Sequence, residues 1–387
     1  MSLLNYRNYG RLWRVYGRSL IRYGSVRKVT NALRTELAYR RRTTDVRSAP
    51  FILFLEPLYY CNLDCPLCDR QVFPDARTND AGRLTLDLYD KILDEVGDYL
   101  FQCQIFGQGE PMLDWNLTKK IIDKSHKRRI FTLVSTNCTL ITPKIAEEVV
   151  NCGLDHLVCA IDGTSQESYE VYRTGGKYAD AMTGLKRIVE QRKLQKSKMV
   201  IEWQFLVHKH NVHEVPEARR IAEELGVYIR FAPLRGMEWD KSLEEFWLPD
   251  GSVKDTAMMK GAGLAASSKP VGEVMMPFPC YFLWRSLVLN SNGKLARCLI
   301  YQNVSQYANL NEVSVMSAYN HPSVQRARQL FRKSPEPDGP APAPCAGCSY
   351  FARHHGAPVT DRRTPLTVIQ PTQPDRQPAA KPDPVLV

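Results

Sequence analysis

Three cysteines, Cys61, Cys65 and Cys68, stand at C-x3-C-x2-C spacing within "YYCNLDCPLCDR". Three thiolates on one short loop can hold three irons of a [4Fe–4S] cube and leave the fourth open to a small-molecule ligand, as catalytic metal sites keep one coordination place free. The competing reading is a zinc knuckle with a distant fourth ligand. It fits less well, because zinc ribbons usually bring C-x2-C pairs on hairpins, and this loop follows an apolar run that reads as a parallel strand. A second set comprises Cys280 and Cys298, with Gly293 between them, followed by Cys345 and Cys348. Four thiolates saturate one cube and leave no open iron, although a structural zinc site made of four cysteines has compatible spacing.

These residues need a scaffold, and the apolar pattern supplies one. Strands are expected at "FILFLEP" from Phe51, "QCQIFG" from Gln102, "IFTLVSTN" from Ile130, "HLVCAIDG" from His156, "VIEWQFLVH" from Val200 and "YIRFAPL" from Tyr228. Amphipathic helical runs separate them, with Thr85 and Thr142 as N-caps and Gly153 and Gly226 as stops. Strand–helix alternation repeated about six times reads as α/β with a parallel sheet, doubly wound or barrel-like. After about residue 240 the rhythm is lost. A Gly/Ala/Ser/Lys-rich connector over 260–269 precedes a hairpin in "FLWRSLVLNSNGKLARCLIY", where Asn292-Gly293 suits a type I′ turn. The proline-rich stretch over 357–387 is expected to be disordered.

Of 387 residues, 44% are hydrophobic, enough for a sizeable core. The 11 cysteines, an odd number in a chain with no secretory h-region, argue for metal or redox chemistry over a disulfide framework and for a cytoplasmic setting. The first 50 residues hold eleven Arg and one Lys against Glu36 and Asp45, and so carry nearly all of the formal charge of +11. Arg7, Arg11, Arg14, Arg18 and Arg22 recur at helical spacing. Such an arm either packs its aromatic side on the body or lies weakly on an anionic membrane surface. No nucleic-acid fold signature accompanies the charge, so no nucleic-acid partner is expected.

With the cysteine triad on a loop after the first strand, the region from Phe51 to Leu234 resembles the radical S-adenosylmethionine (SAM) superfamily. The resemblance implies a partial (β/α)6 TIM-type barrel over 51–240, a first cluster held by Cys61, Cys65 and Cys68, and SAM bound through its amino and carboxylate groups. "FGQGEP" resembles the motif that receives the SAM amino group, matched by Gly107, Gly109, Glu110 and Pro111. "STNCTL" resembles the ribose-side segment, matched by Thr136 and Asn137 with Cys138 in the usual glycine place. "AIDGTSQESYEVYRTGG" supplies Asp162, Gly163 and Arg173, the last a candidate partner for the SAM carboxylate. The second cysteine set resembles the truncated, twitch form of a SPASM domain over 241–350. It implies an auxiliary [4Fe–4S] cluster on Cys280, Cys298, Cys345 and Cys348. A basic helical arm (1–50) and a Pro-rich tail (351–387) complete the expected organisation.

The resemblance implies an enzyme that cleaves SAM reductively to a 5′-deoxyadenosyl radical, which takes hydrogen from a substrate carbon. A flavodoxin- or ferredoxin-type donor would supply the electron. An auxiliary cluster suggests an electron acceptor, hence an oxidoreductase acting on a small hydroxyl-rich molecule. The alternatives are a maturase modifying a peptide or protein side chain, and a redox-neutral epimerase with a cysteine hydrogen donor. Cys138 is the candidate donor, because its loop should face the active site. Glu202 and Gln204, two apart on one strand face, and Arg230 on the next strand are the candidate substrate-binding residues.

Overall fold

The computed structural model describes residues 17–72, 82–234, 242–247, 279–332, 345 and 348. Helices α1 (Arg18–Tyr23) and α2 (Val26–Arg41) precede the sheet. Then β1 (Ile52–Leu55), β2 (Gln102–Ile105), β3 (Phe131–Thr136), β4 (His156–Ala160), β5 (Val200–Val207) and β6 (Tyr228–Pro233) lie side by side in chain order, each parallel to the next. Between them run α3 (Leu86–Val96), α4 (Trp115–Lys127), α5 (Pro143–Asn151), α6 (Gln166–Tyr172), α7 (Tyr178–Leu194) and α8 (Val215–Leu225). The architecture is a partial (β/α)6 TIM-type barrel, as the alternating pattern predicts.

Local chemistry accounts for the helix ends. The Thr85 and Thr142 hydroxyls accept from the Leu88 and Ile145 N–H groups in the first turns of α3 and α5. Gly226 ends α8 with φ 67°, a left-handed stop. Alternation decides the faces of β5: Trp203 and Phe205 join the large apolar core, while Glu202 and Gln204 turn to the other side.

The C-terminal unit continues the barrel sheet. β7 (Ser286–Leu289) pairs parallel with β1, β8 (Lys294–Ala296) antiparallel with β7, and β9 (Gln306–Asn309) antiparallel with β8, giving nine strands. The expected hairpin is present, but its turn is not type I′. Gly293 N–H donates to the Asn290 carbonyl (3.0 Å), and Gly293 has φ 84° while Asn292 does not enter the left-handed region. A type I′ turn needs positive φ at both central residues, so this is the longer loop ending in a left-handed glycine.

The described part of the arm, from residue 17 onward, packs on the body. Tyr23 donates to Asp155, Trp284 Nε1 donates to the Thr43 carbonyl, and Arg285 pairs with Glu36. Arg22 is committed to Asp155 at 2.7 Å. The expected stripe at Arg7, Arg11 and Arg14, the connector at 260–269 and the Pro-rich tail lie outside the described residues. Among the described residues, no helix is long and apolar enough to cross a membrane.

Candidate active site

At the C-terminal ends of the barrel strands lies a cavity of about 340 Å³, rimmed by Cys61, Cys65 and Cys68. Glycines bring its walls together. A Cβ on Gly109 would lie 2.0 Å from the Leu58 carbonyl oxygen and 2.7 Å from that of Tyr60, so only glycine lets the β2 loop close on the cysteine loop. The Glu110 N–H then donates to the Tyr60 carbonyl (2.8 Å).

Glu110 is buried in the cavity wall. Oε1 accepts from Thr136 Oγ1 (2.6 Å) and Met112 N–H (3.0 Å), and Oε2 accepts from Asn137 N–H (2.8 Å). A carboxylate offers about four lone-pair sites, so one remains for a further donor such as an ammonium. Burial raises the Glu110 pKa above the usual carboxylate value, against the pull of those three donors. A cation in the cavity would restore the charged form. The Asn137 side chain donates to Asn62 (2.9 Å), tying the β3 loop to the cysteine loop. Pro111 and Asp162 do not line the cavity. Pro111 opens the turn before α4 and accepts from Thr118, and buried Asp162 holds Arg173 Nε at 2.6 Å. Arg173 reaches into the cavity and places Nη1 3.8 Å from Cys65 Sγ.

The cavity floor comes from β5 and β6. Arg230 Nε donates to Glu202 Oε1 (2.6 Å), and Nη2 donates to the Gln204 side chain. Gln204 and Arg230 line the cavity; Glu202 lies beneath them, with His156 Nε2 3.4 Å from its other oxygen. Cys138 is a correction. It adopts φ 65°, is fully buried against Cys159, and is absent from the cavity lining. Its thiol belongs to the large apolar core.

The other three distant cysteines lie near enough to Cys280 to act on its charge. Cys280 feels the charges of Cys298, Cys345 and Cys348, and burial together with this mutual repulsion holds its thiol well above its ordinary pKa. The same causes push Cys345 up to about 12, while Arg297 hydrogen-bonds to it; burial pushes Cys298 to about 11. In the rim set, burial pushes Cys61 to about 11 and Cys68 to about 12. A metal bound at either set would offset the thiolate charge that burial disfavours. Among the described residues, no three Cys, His, Asp or Glu side chains converge closely enough to hold one metal ion.

A family model for the radical SAM superfamily matches residues 55–201, and one for the SPASM iron–sulfur cluster-binding domain matches 280–349. The chain belongs to the radical SAM superfamily. Among its relatives, the PqqA peptide cyclase of Gluconobacter oxydans is 24% identical over 322 residues, 80% of this chain and 85% of that one. The tungsten-containing aldehyde ferredoxin oxidoreductase cofactor-modifying protein of Pyrococcus furiosus is 30% identical over 181 residues, and this chain spans about half of its length. In structure, Streptococcus suis SuiB bound to S-adenosylmethionine superposes with a TM-score of 0.56 at 15% identity, over 84% of this chain and 74% of that one. That likeness establishes the fold. The radical SAM and SPASM domains imply a SAM-binding [4Fe–4S] cluster, an auxiliary cluster and SAM itself. Cys61, Cys65 and Cys68 would hold the first of these, with Glu110 and Arg173 beside the open place.

Sequence reading missed Glu56. This buried carboxylate at the end of β1 accepts from Gln108 N–H (3.1 Å) and from both the N–H and hydroxyl of Ser291, joining the cysteine-rimmed cavity to the β7–β8 turn. Its signal was a lone acid closing an otherwise apolar strand. Gln108, which interrupts the glycine motif, reaches toward Asp69 (3.4 Å) and also lines the cavity.

Proposed function

We propose that this radical SAM/SPASM enzyme modifies a peptide or protein side chain. The similarity to the PqqA peptide cyclase carries this reading, because it runs through barrel and SPASM region alike. Mycofactocin maturase MftC of Mycobacterium tuberculosis, 25% identical over 194 residues, points the same way. These relatives favour the peptide reading over oxidation of a small hydroxyl-rich molecule. Against a redox-neutral epimerase stands the full burial of its candidate donor, Cys138.

When bound, the cluster and SAM supply a carbon-centred oxidant for the target C–H bond. The chain's own residues position and shield. Glu110 keeps one acceptor site for the SAM ammonium, and Arg173, steered by Asp162, offers a guanidinium at the cysteine rim. Gln204 and Arg230, braced by Glu202, present a polar floor against which a peptide amide or carboxylate can be fixed. The four-thiol set, with all its iron sites filled, suits electron transfer better than ligand binding. The proposal includes a net oxidation and a flavodoxin- or ferredoxin-type electron donor.

The test uses anaerobically reconstituted enzyme, SAM, a reductant and side-chain-deuterated peptides. Transfer of deuterium from a peptide into 5′-deoxyadenosine supports the reading. Transfer from small hydroxylated molecules, with none from any peptide, overturns it.

A further inference from the structure

Helix α2 is built with its polar side inward. Lys28 Nζ donates to the Arg129 carbonyl (2.6 Å), Asn31 makes two hydrogen bonds with the Ala49 backbone, Thr35 donates to Ser48 (2.7 Å), and Tyr39 donates to the Pro279 carbonyl (2.9 Å). The opposite face carries Val26, Val29, Leu33 and Leu37, at steps of three, four and four, which align them in one ridge. Their exposures are 82%, 36%, 64% and 46%. In α1, Leu20 and Ile21 are exposed as well, at 51% and 72%. A surface helix ordinarily does the reverse, hiding its apolar stripe. Single exposed aliphatic residues are common, but a ridge along three turns marks a docking surface.

Charge identifies what docks. Arg27, Arg34 and Arg41 follow one another at steps of seven beside the ridge, and with Arg47 they line an open groove of about 840 Å³. Two acids share that lining, Asp45 and Glu95, and Glu95 is engaged by the Val315 N–H (2.7 Å). Arg27 is paired with Asp98, while Arg34, Arg41 and Arg47 are exposed.

We propose that α2 docks the enzyme on an anionic phospholipid surface, its ridge entering the acyl boundary and Arg34, Arg41 and Arg47 meeting lipid phosphates. The ridge is convex. A protein partner would need a groove of matching shape, whereas a lipid layer closes around any apolar stripe, and arginines at its edge suit phosphate in a forked geometry. This inference stands apart from the substrate reading, since it uses no residue of the cavity.

The experiment is flotation of the full-length, cluster-loaded protein with vesicles of phosphatidylcholine alone or mixed with phosphatidylglycerol. Binding to the mixed vesicles, weakened by salt, is expected. The Leu33→Glu/Leu37→Glu and Arg34→Glu/Arg41→Glu variants should each bind at least about tenfold more weakly while keeping wild-type iron content. Absence of flotation with mixed vesicles overturns the proposal, and so does flotation that the ridge variant retains. Light scattering without lipid provides a further check: a wild-type dimer that Leu33→Glu/Leu37→Glu converts to monomer assigns the ridge to a second copy and overturns the lipid reading.

Discussion

The two thiol sets of this chain are alike in burial and charge and opposite in their openness. Cys61, Cys65 and Cys68 rim a cavity that also holds Glu110 and Arg173. Burial and neighbouring thiols raise the pKa values of Cys280, Cys298 and Cys345, and none of these lines that cavity. The difference is one ligand: three thiolates leave an iron to bind and split a cofactor, and four leave a closed cluster that can only pass electrons. In the proposed function the labour divides along that line, with SAM cleavage given to the first set and the fate of the substrate radical to the second.

Breaking the rim set should have the largest effect. Cys65→Ala is expected to lower SAM cleavage at least about a thousandfold, since the whole electronic route is lost, and to remove about four of about eight irons per chain. Cleavage assays with iron quantification test this together. Full turnover in that variant would dissolve the distinction between the sets. Cys298→Ala should act differently, abolishing modified product while SAM cleavage stays within about tenfold of wild type. Equal loss of both activities would mean that the two sets work as one unit.

A third variant probes the link between the regions. Glu56→Ala strands the donors of Gln108 and Ser291 in the interior, at about 1–3 kcal/mol for each buried group left unpaired. Denaturant unfolding should therefore show a loss of about 3 kcal/mol in one shared transition. Separate transitions for barrel and C-terminal unit would show that the shared sheet does not couple them. The smallest effect is expected from Thr136→Val, which removes one of the three donors to Glu110. About 1–2 kcal/mol of charge-assisted bonding is at stake, read as a roughly tenfold weaker SAM affinity by calorimetry.

The sequence made the rim set legible because its chemistry is local. The cysteine spacing within eight residues with its preceding apolar run, and the two glycines just before Glu110, are each read within a short stretch of chain. The six strands and the Thr85 and Thr142 caps were readable for the same reason. What escaped was set by partners far away. Glu56 finds Ser291 across 235 positions, and β7 finds the free edge of β1, neither of which any periodicity reports. Cys138 sits on the expected loop, but its left-handed backbone and the neighbouring Cys159 place the thiol in the core. In the arm, the helical spacing read from Arg7 to Arg22 says nothing of α2, where Asn31, Thr35 and Tyr39 are buried through hydrogen bonds to backbone that only the fold supplies.

The open iron on the rim set is most directly tested by electron paramagnetic resonance of the reduced Cys298→Ala protein, in which the rim cluster is the one remaining. Adding SAM should shift that signal, because the cofactor ligates the vacant iron. An unchanged spectrum at saturating SAM would mean that the three-thiol site has no vacancy for it, and would contradict the account.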